Sequence, residues 1–143
     1  MRLFLDTSSL VKLYHEEPGT DLLIAELAKG YDELCLSELA HLEFRSALWK
    51  KVRIGELSHD LAKKAISCFE DDSDKFRWVT LDSMIIDSAK DLLMQHGRAG
   101  LRTLDSIQLA SALTLNSGDV AYVTSDDVLR AIMQNEGLNI VAE

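Results

Sequence analysis

Asp6, Glu43, Asp105 and Asp126 lie in four separate segments of the chain, each where a buried strand would end or an adjoining helix would project. In an open α/β sheet, ligands collect beyond the carboxyl ends of the strands, so acids delivered there from distant segments can share one cleft. Carboxylates held together repel each other and resist ionisation unless a cation neutralises them. Hard divalent ions such as Mg²⁺ or Mn²⁺ favour all-oxygen sites of this kind. All four acids are therefore candidate metal ligands and catalytic groups, and the chemistry they suggest is that of a magnesium-dependent nuclease.

Each acid also has a plainer local role. Asp6 precedes Thr7 and Ser8, which is common turn chemistry, and it can cap a helix beginning beside it. Glu43 is more telling, since it stands four residues from both Leu39 and Ala47 and sets an ionisable group between apolar or small neighbours on one helical face. Asp105 falls in a first helical turn, where the macrodipole favours any acid, but its helix is otherwise so apolar that this turn should face a crevice or the interior. Asp82 shares the Leu-Asp-Ser triplet of Leu104-Asp105-Ser106, yet it opens an ordinary amphipathic helix and reads as a cap. Of Asp126 and Asp127, the first is nearer a strand end and is the candidate ligand, while the second should face solvent.

The elements that position these side chains follow from periodicity. Residues 2–5 read as a short buried strand, followed at once by the polar turn Asp6-Thr7-Ser8-Ser9. A helix begins near Pro18 and stops at Gly30, and residues 34–36 form a second strand. Ser37 can cap the next helix, which carries Leu39, Leu42, Phe44, Ala47, Leu48 and Val52, and Ser58 opens another with Leu61, Ala65, Ile66 and Phe69. A strand at 78–81, a helix capped by Asp82 or Ser83, a glycine-containing loop at 97–100 and a nearly apolar helix from Thr103 come next. A core strand at 120–123, a turn at 124–126, a short helix stopped by Gly137 and a last strand at 138–141 complete the chain. Strands alternating with helices imply right-handed crossovers and a sheet covered on both faces. The expected class is α/β, a three-layer α/β/α sandwich around a central, mostly parallel sheet, with one domain over residues 1–143.

With 143 residues, 47% of them hydrophobic, the chain can bury a core without disulfide or zinc support. A single proline and the lack of any low-complexity tract leave no candidate linker. Cys35 and Cys68 have no metal-type spacing and read as two buried thiols in a reducing cytosol. The apolar opening is too short for a secretory signal and no run approaches a membrane span, so a cytoplasmic protein is expected. The formal charge of −9 runs against binding a polyanion. Bound divalent ions would cancel part of that excess, and a basic protein partner would mask more.

Other motifs carry less. His41-Leu42-Glu43 imitates the His-x-Glu of zinc deaminases, but no Pro-Cys-x-x-Cys follows it. No Gly-x-Ser-x-Gly elbow, phosphate-cradling glycine loop or Cys/His nucleophile arrangement competes. Lys50, Lys51 and Arg53 read best as solvated helix-end charges, whereas the loop bearing Arg98 and Arg102 should border the cleft and supply phosphate contacts.

Phe4-Leu5-Asp6-Thr7-Ser8-Ser9-Leu10-Val11-Lys12-Leu13-Tyr14 is followed by Glu16-Glu17-Pro18-Gly19 and by Ser37 leading to Glu43. Leu104-Asp105-Ser106-Ile107-Gln108-Leu109-Ala110 and Tyr122-Val123-Thr124-Ser125-Asp126 come after them, so the series spans nearly the whole chain. In this order the segments resemble the PIN-domain ribonucleases, and the size and opening look most like the VapC toxins of bacterial and archaeal toxin/antitoxin pairs. The resemblance implies a PIN-like fold, with Asp6, Glu43, Asp105 and Asp126 as the acidic quartet and the Thr124 hydroxyl bordering the site. Ser106 stands where the family often has Ala. Endonucleolytic cleavage of RNA with Mg²⁺ or Mn²⁺ is the implied activity, with Asp6 and Asp105 the most direct ligands and Glu43 and Asp126 completing the set. A homodimer and a cognate antitoxin are implied as well. The antitoxin would lay a helix or extended arm along helices bearing Phe44, Trp49, Leu61 and Phe69, although core packing explains each of those residues singly.

Two rivals are carried forward. A phosphatase of the haloacid-dehalogenase kind would use the Asp after the first strand as nucleophile, but it needs a second Asp two residues on, where Ser8 stands. A non-catalytic partner-binding module of receiver type would need an early acid doublet, and the chain has none.

Overall fold

The computed structural model describes residues 1–116 and 118–142. Four short strands, Arg2–Leu5 (β1), Glu33–Ser37 (β2), Phe76–Val79 (β3) and Val120–Val123 (β4), form one sheet in the order β3-β2-β1-β4. Every pairing is parallel, so the sheet is more uniform than the mostly parallel one expected. β1 lies inside it, between β2 and β4, and sends its carboxyl end to the middle of one edge of the molecule. That is where Asp6 emerges.

Alternation along the strands divides the apolar residues between two layers, as the pleat requires. Leu3, Leu5, Leu36, Ala121 and Val123 face a core built with Leu10, Leu23, Phe44, Leu48 and Phe69. These come from Thr7–Val11 (α1), Thr20–Leu27 (α2), Ala40–Arg53 (α3) and His59–Asp72 (α4). Phe4, Cys35, Val120 and Tyr122 face the other way, against Ile85, Leu92, Leu109, Leu129 and Ile132. Ser83–His96 (α5), Thr103–Thr114 (α6) and Asp127–Asn135 (α7) supply that second layer. The result is the three-layer sandwich that the alternating pattern predicts.

Several local expectations change. Residues 7–9 do not form a simple turn: Asp6 accepts a hydrogen bond from the Ser9 amide at 3.1 Å and so caps a helix, α1, directly after β1. The next helix starts at Thr20 rather than at Pro18, with Gly19 at its cap in the left-handed region at φ 99°. Ser37 does not cap α3. It stays in β2, fully buried, and accepts from the Leu39 amide at 3.1 Å, while Leu39 itself occupies the cap position. β3 begins two residues earlier than expected because its register on β2, from Leu34 opposite Phe76 to Ser37 opposite Val79, sets the limits of this edge strand. The expected last strand at 138–141 reduces to a single bridge, Tyr122 to Ile140, held by hydrogen bonds of 2.8 and 2.9 Å on Tyr122.

Cys35 is buried as expected, but Cys68 is exposed. Its side of α4 is turned away from the buried stripe of Ala62, Ala65 and Phe69. Among the described residues, no helix is long and apolar enough to cross a membrane.

Candidate active site

Asp6 sits at the carboxyl end of the interior strand and is 4% exposed. The Ser8 hydroxyl donates to both of its oxygens, at 2.7 and 2.9 Å, and the Thr124 hydroxyl donates to Oδ2 at 2.5 Å. With the Ser9 amide, these donors hold a carboxyl group whose charged form burial disfavours. Burial pushes its pKa up, and the bonds from Thr124, Ser8 and Ser9 pull against that rise. The Ser125 amide in turn donates to Ser8 Oγ at 3.0 Å, which ties the β1–α1 junction to the β4–α7 junction.

Glu43 projects from the first turn of α3. Its Oε1 accepts from Thr7 Oγ1 at 2.9 Å and from Gln108 Nε2 at 2.7 Å, and the same amide nitrogen reaches Thr7 Oγ1 at 3.1 Å. One acid thus joins the residue beside Asp6 to the helix that carries Asp105. Burial raises the Glu43 pKa, opposed by the Gln108 and Thr7 bonds, and the charges of Asp6 and Asp105 raise it further.

Asp105 is the third residue of α6 and lies half-buried. Its pKa is raised by burial first and by the Asp126 charge second, against a lowering by Arg102, with no hydrogen bond among these causes. Asp126 caps α7 by accepting from the Leu129 amide at 2.8 Å, and its own amide donates to Thr124 Oγ1 at 3.1 Å. Its neighbour Asp127 is 94% exposed and paired with Arg130 at 2.7 Å, the solvent-facing position expected for it.

The four acids therefore meet at one end of the sheet. Hydrogen bonds run from the Asp126 amide through Thr124 to Asp6, and from Thr7 through Glu43 to Gln108, while electrostatic coupling joins Asp105 to both Glu43 and Asp126. Arg102 lines an open cavity with Glu43, Leu104 and Asp105. Arg98, in a single 3-10 turn at Gly97–Ala99, is exposed, and among the described residues no hydrogen bond brings it to an acid of the cluster. Lys50 and Arg53 line a second cavity that also includes Glu43 and Leu104, nearer to the acids than solvated helix-end charges need be.

A family model described as "PIN domain" matches residues 3–134. The chain belongs to the PIN-domain family. Ribonuclease VapC46 of Mycobacterium tuberculosis (strain ATCC 25618 / H37Rv) is 30% identical over 140 residues, covering 98% of this chain and 96% of that protein. Among solved structures, the Mycobacterium tuberculosis sarcin-ricin loop cleaving toxin VapC20 superposes with a TM-score of 0.70 at 17% identity, over 91% of this chain and 94% of its own. FitAcB from Neisseria gonorrhoeae reaches 0.68 at 13% identity, covering 97% and 96% of the two chains. PIN-domain nucleases of the VapC kind generally use divalent metal ions.

The donor set of this PIN domain suits such an ion chemically, since it is all carboxylate oxygen and three of its members have raised pKa values that a cation would reverse. Its geometry is not closed: among the described residues no three His, Cys, Asp or Glu side chains gather into a ready-made metal site. Asp6 and Glu43 are fixed by donors, whereas Asp105 has no such tether and is the acid freest to move toward a cation.

Gln108 and the hydroxyls of Thr7 and Ser8 are the positioning groups that inspection of the acids alone overlooks. Gln108 is 3% exposed and stands one turn after Asp105 in an apolar helix. That spacing, an amide three residues from an acid on a buried face, is the signal that marks it.

Proposed function

We propose that this PIN-domain chain, as one domain over residues 1–143, is a metal-dependent endoribonuclease, the toxin of a toxin/antitoxin pair. The observation that carries the reading is the hydrogen-bonded and electrostatically coupled cluster of Asp6, Glu43, Asp105 and Asp126 at the carboxyl end of a parallel sheet. Asp6 and Asp105 would hold Mg²⁺, with Mn²⁺ as the substitute, and Glu43 and Asp126 would complete the set. When bound, the cation lowers the pKa of the attacking water and neutralises charge that develops on the phosphate oxygens.

The chain's own residues do the rest. Thr124, Ser8 and the Ser9 amide oppose the rise in the Asp6 pKa that burial causes and fix the carboxyl in a buried position. Thr7 and Gln108 hold Glu43 by one oxygen, so that Oε2 is left to accept a proton from water attacking phosphorus. Arg102, beside Asp105, offers a cation to the substrate phosphate, and Arg98, further out on the same loop, extends that contact. The same arrangement weakens the dehalogenase-type alternative, because the Ser8 hydroxyl that stands two residues after Asp6 is turned back onto it.

The toxin reading rests on the 30% identity to Ribonuclease VapC46. It brings with it a homodimer, a cognate antitoxin and a cytoplasmic setting. Phe44 and Phe69 are 0% and 1% exposed and belong to the core, so an antitoxin segment would meet Leu61, 55% exposed, and the partly buried Trp49 instead. Incubating the protein with structured RNA and Mg²⁺ or Mn²⁺ tests the activity. Cleavage is expected with either ion and is expected to stop in EDTA. A lack of cleavage under all these conditions, for protein freed of any antitoxin, would refute the proposal.

A further inference from the structure

The acidic cluster has a cationic counterpart on the other side of the Thr124-Ser125 turn. A cavity of about 160 Å³ lies between α1, the start of α2 and the β4–α7 junction, lined by Ser9, Lys12, Gly19, Ser125 and Arg130 among others. Among the described residues, Ser9 Oγ and Arg130 Nε are buried without a partner in hydrogen-bond geometry, and the Ser9 hydroxyl stands near enough to Asp6 to lower its pKa. Ser9 is wholly buried, so its hydroxyl carries a desolvation cost that its long-range attraction to Asp6 offsets only in part.

The positive charges here are incompletely neutralised. Lys12 is 3.8 Å from Glu17, but that carboxylate sits closer to Lys51, at 2.9 Å, and Lys12 Nζ is otherwise bonded to the Pro18 carbonyl. Arg130 spends Nη1 on the fully exposed Asp127 and Nη2 on the Thr124 carbonyl at 3.0 Å. An exposed partner screens little of a cation's charge, so Arg130 retains both a donor and a net attraction for an anion. Gly19 lies beside Lys12 Nζ, and its φ of +99° suits glycine. In a chain whose formal charge is −9, two cations and two unpartnered donors around one small cavity are an unusual concentration.

We propose that this cavity is a phosphate-binding subsite that takes a backbone phosphate of the RNA next to the cleavage point. The volume suits a phosphate with a few waters, each water occupying about 30 Å³, and not a base. Thr124 links the two sites, since its hydroxyl holds Asp6 and its carbonyl holds Arg130. The RNA assignment rests on the ribonuclease reading, whereas the phosphate site itself does not.

The test has two arms. In the first, inorganic phosphate is titrated into the metal-free protein and followed by amide chemical shifts and melting temperature. Millimolar phosphate should shift the Ser9, Lys12, Ser125 and Arg130 signals. Ser9→Ala and Lys12→Gln should each weaken that binding about tenfold or more. Without phosphate, the amide signals of Ser9→Ala beyond the cavity should match those of the wild type, and that separates a lost ligand contact from lost structure. Absent shifts, or shifts unchanged in both variants, would show an inert cavity and overturn the site. In the second arm, Lys12→Gln should raise KM for RNA about fivefold while kcat stays within about twofold. Phosphate binding with an unchanged KM would assign the cavity to free phosphate and overturn the RNA assignment. A wild-type protein that binds phosphate but cleaves no RNA would overturn that assignment by removing the ribonuclease reading beneath it.

Discussion

Leu81-Asp82-Ser83 and Leu104-Asp105-Ser106 are the same three residues in two places, and the fold gives them opposite tasks. Asp82 precedes α5, is exposed, and spends its carboxylate on the Ile85 amide at 3.0 Å, as a helix cap does. Asp105 falls three residues into α6, too late to cap, and its side chain is left half-buried among Glu43, Asp126 and Arg102. The triplet is equal in composition, so the difference lies in the helix register and in what stands opposite. α5 begins away from the acids, while α6 begins beside the junctions that follow β1 and β4. Asp6 and Asp126 cap α1 and α7 and still join the cluster, so what separates Asp105 from Asp82 is not capping as such but which groups stand opposite.

The sharpest way to break this comparison is to exchange the two losses. Asp105→Asn should lower RNA cleavage by more than about 100-fold and should shrink the rise in melting temperature caused by Mg²⁺ or Mn²⁺. Single-turnover cleavage and a metal-dependent melting series read both effects. Gln108→Ala comes next. Loss of a group that orients Glu43 should weaken divalent-metal affinity about 10–100-fold, and Gln108→Glu should not restore it, because it sets a second carboxylate where a donor is needed. Titration of Mn²⁺ followed by calorimetry checks this.

The pH dependence sharpens the contrast further. The folded Asp105 has a raised pKa, so below the ordinary carboxylate range it is protonated in both folded and unfolded states and costs nothing. As pH rises from about 4 the unfolded chain releases that proton first, and the native state loses stability until the folded group ionises. Without metal, Asp105→Asn should therefore melt increasingly above wild type across that window and hold its advantage at neutral pH. Thermal melts in EDTA at several pH values test the sign. The smallest effect belongs to Asp82→Ala, which should cost about 1 kcal/mol of stability and leave cleavage per folded molecule unchanged.

The difference between these two acids also marks what the sequence could disclose. β1, β4, the Ser58 and Asp82 caps and the start of α6 at Thr103 were legible because each is a local matter of apolar run, cap and period. At α1 the sequence offered both a turn and a helix capped by Asp6, because Thr7, Ser8 and Ser9 suit either, and the cap is what forms. The limits of β3 were set by its partner β2, and the segment near Ile140 had the apolar content of a strand but made only one bridge to Tyr122. Neither outcome is written in its own residues.

At the site, the convergence of acids from four segments followed from strand ends and helix starts. The groups that hold them did not. Thr7 and Gln108 are 101 residues apart and meet on one oxygen of Glu43, a contact that the packing of α3 against α1 and the reach of Gln108 from α6 create. The outward position of Asp127 was readable from its place in the first turn of α7, and its pairing with Arg130 accompanies that position.

The central claim is that distant carboxylates gather around a divalent cation. An anomalous difference map from crystals soaked in Mn²⁺ tests it most directly. The account predicts a peak bounded by oxygens of Asp6 and Asp105, with Glu43 and Asp126 beside it and the Asp105 side chain drawn inward. A map with no peak at saturating Mn²⁺, or with Mn²⁺ bound only to exposed acids such as Asp82 or Asp127, would contradict it.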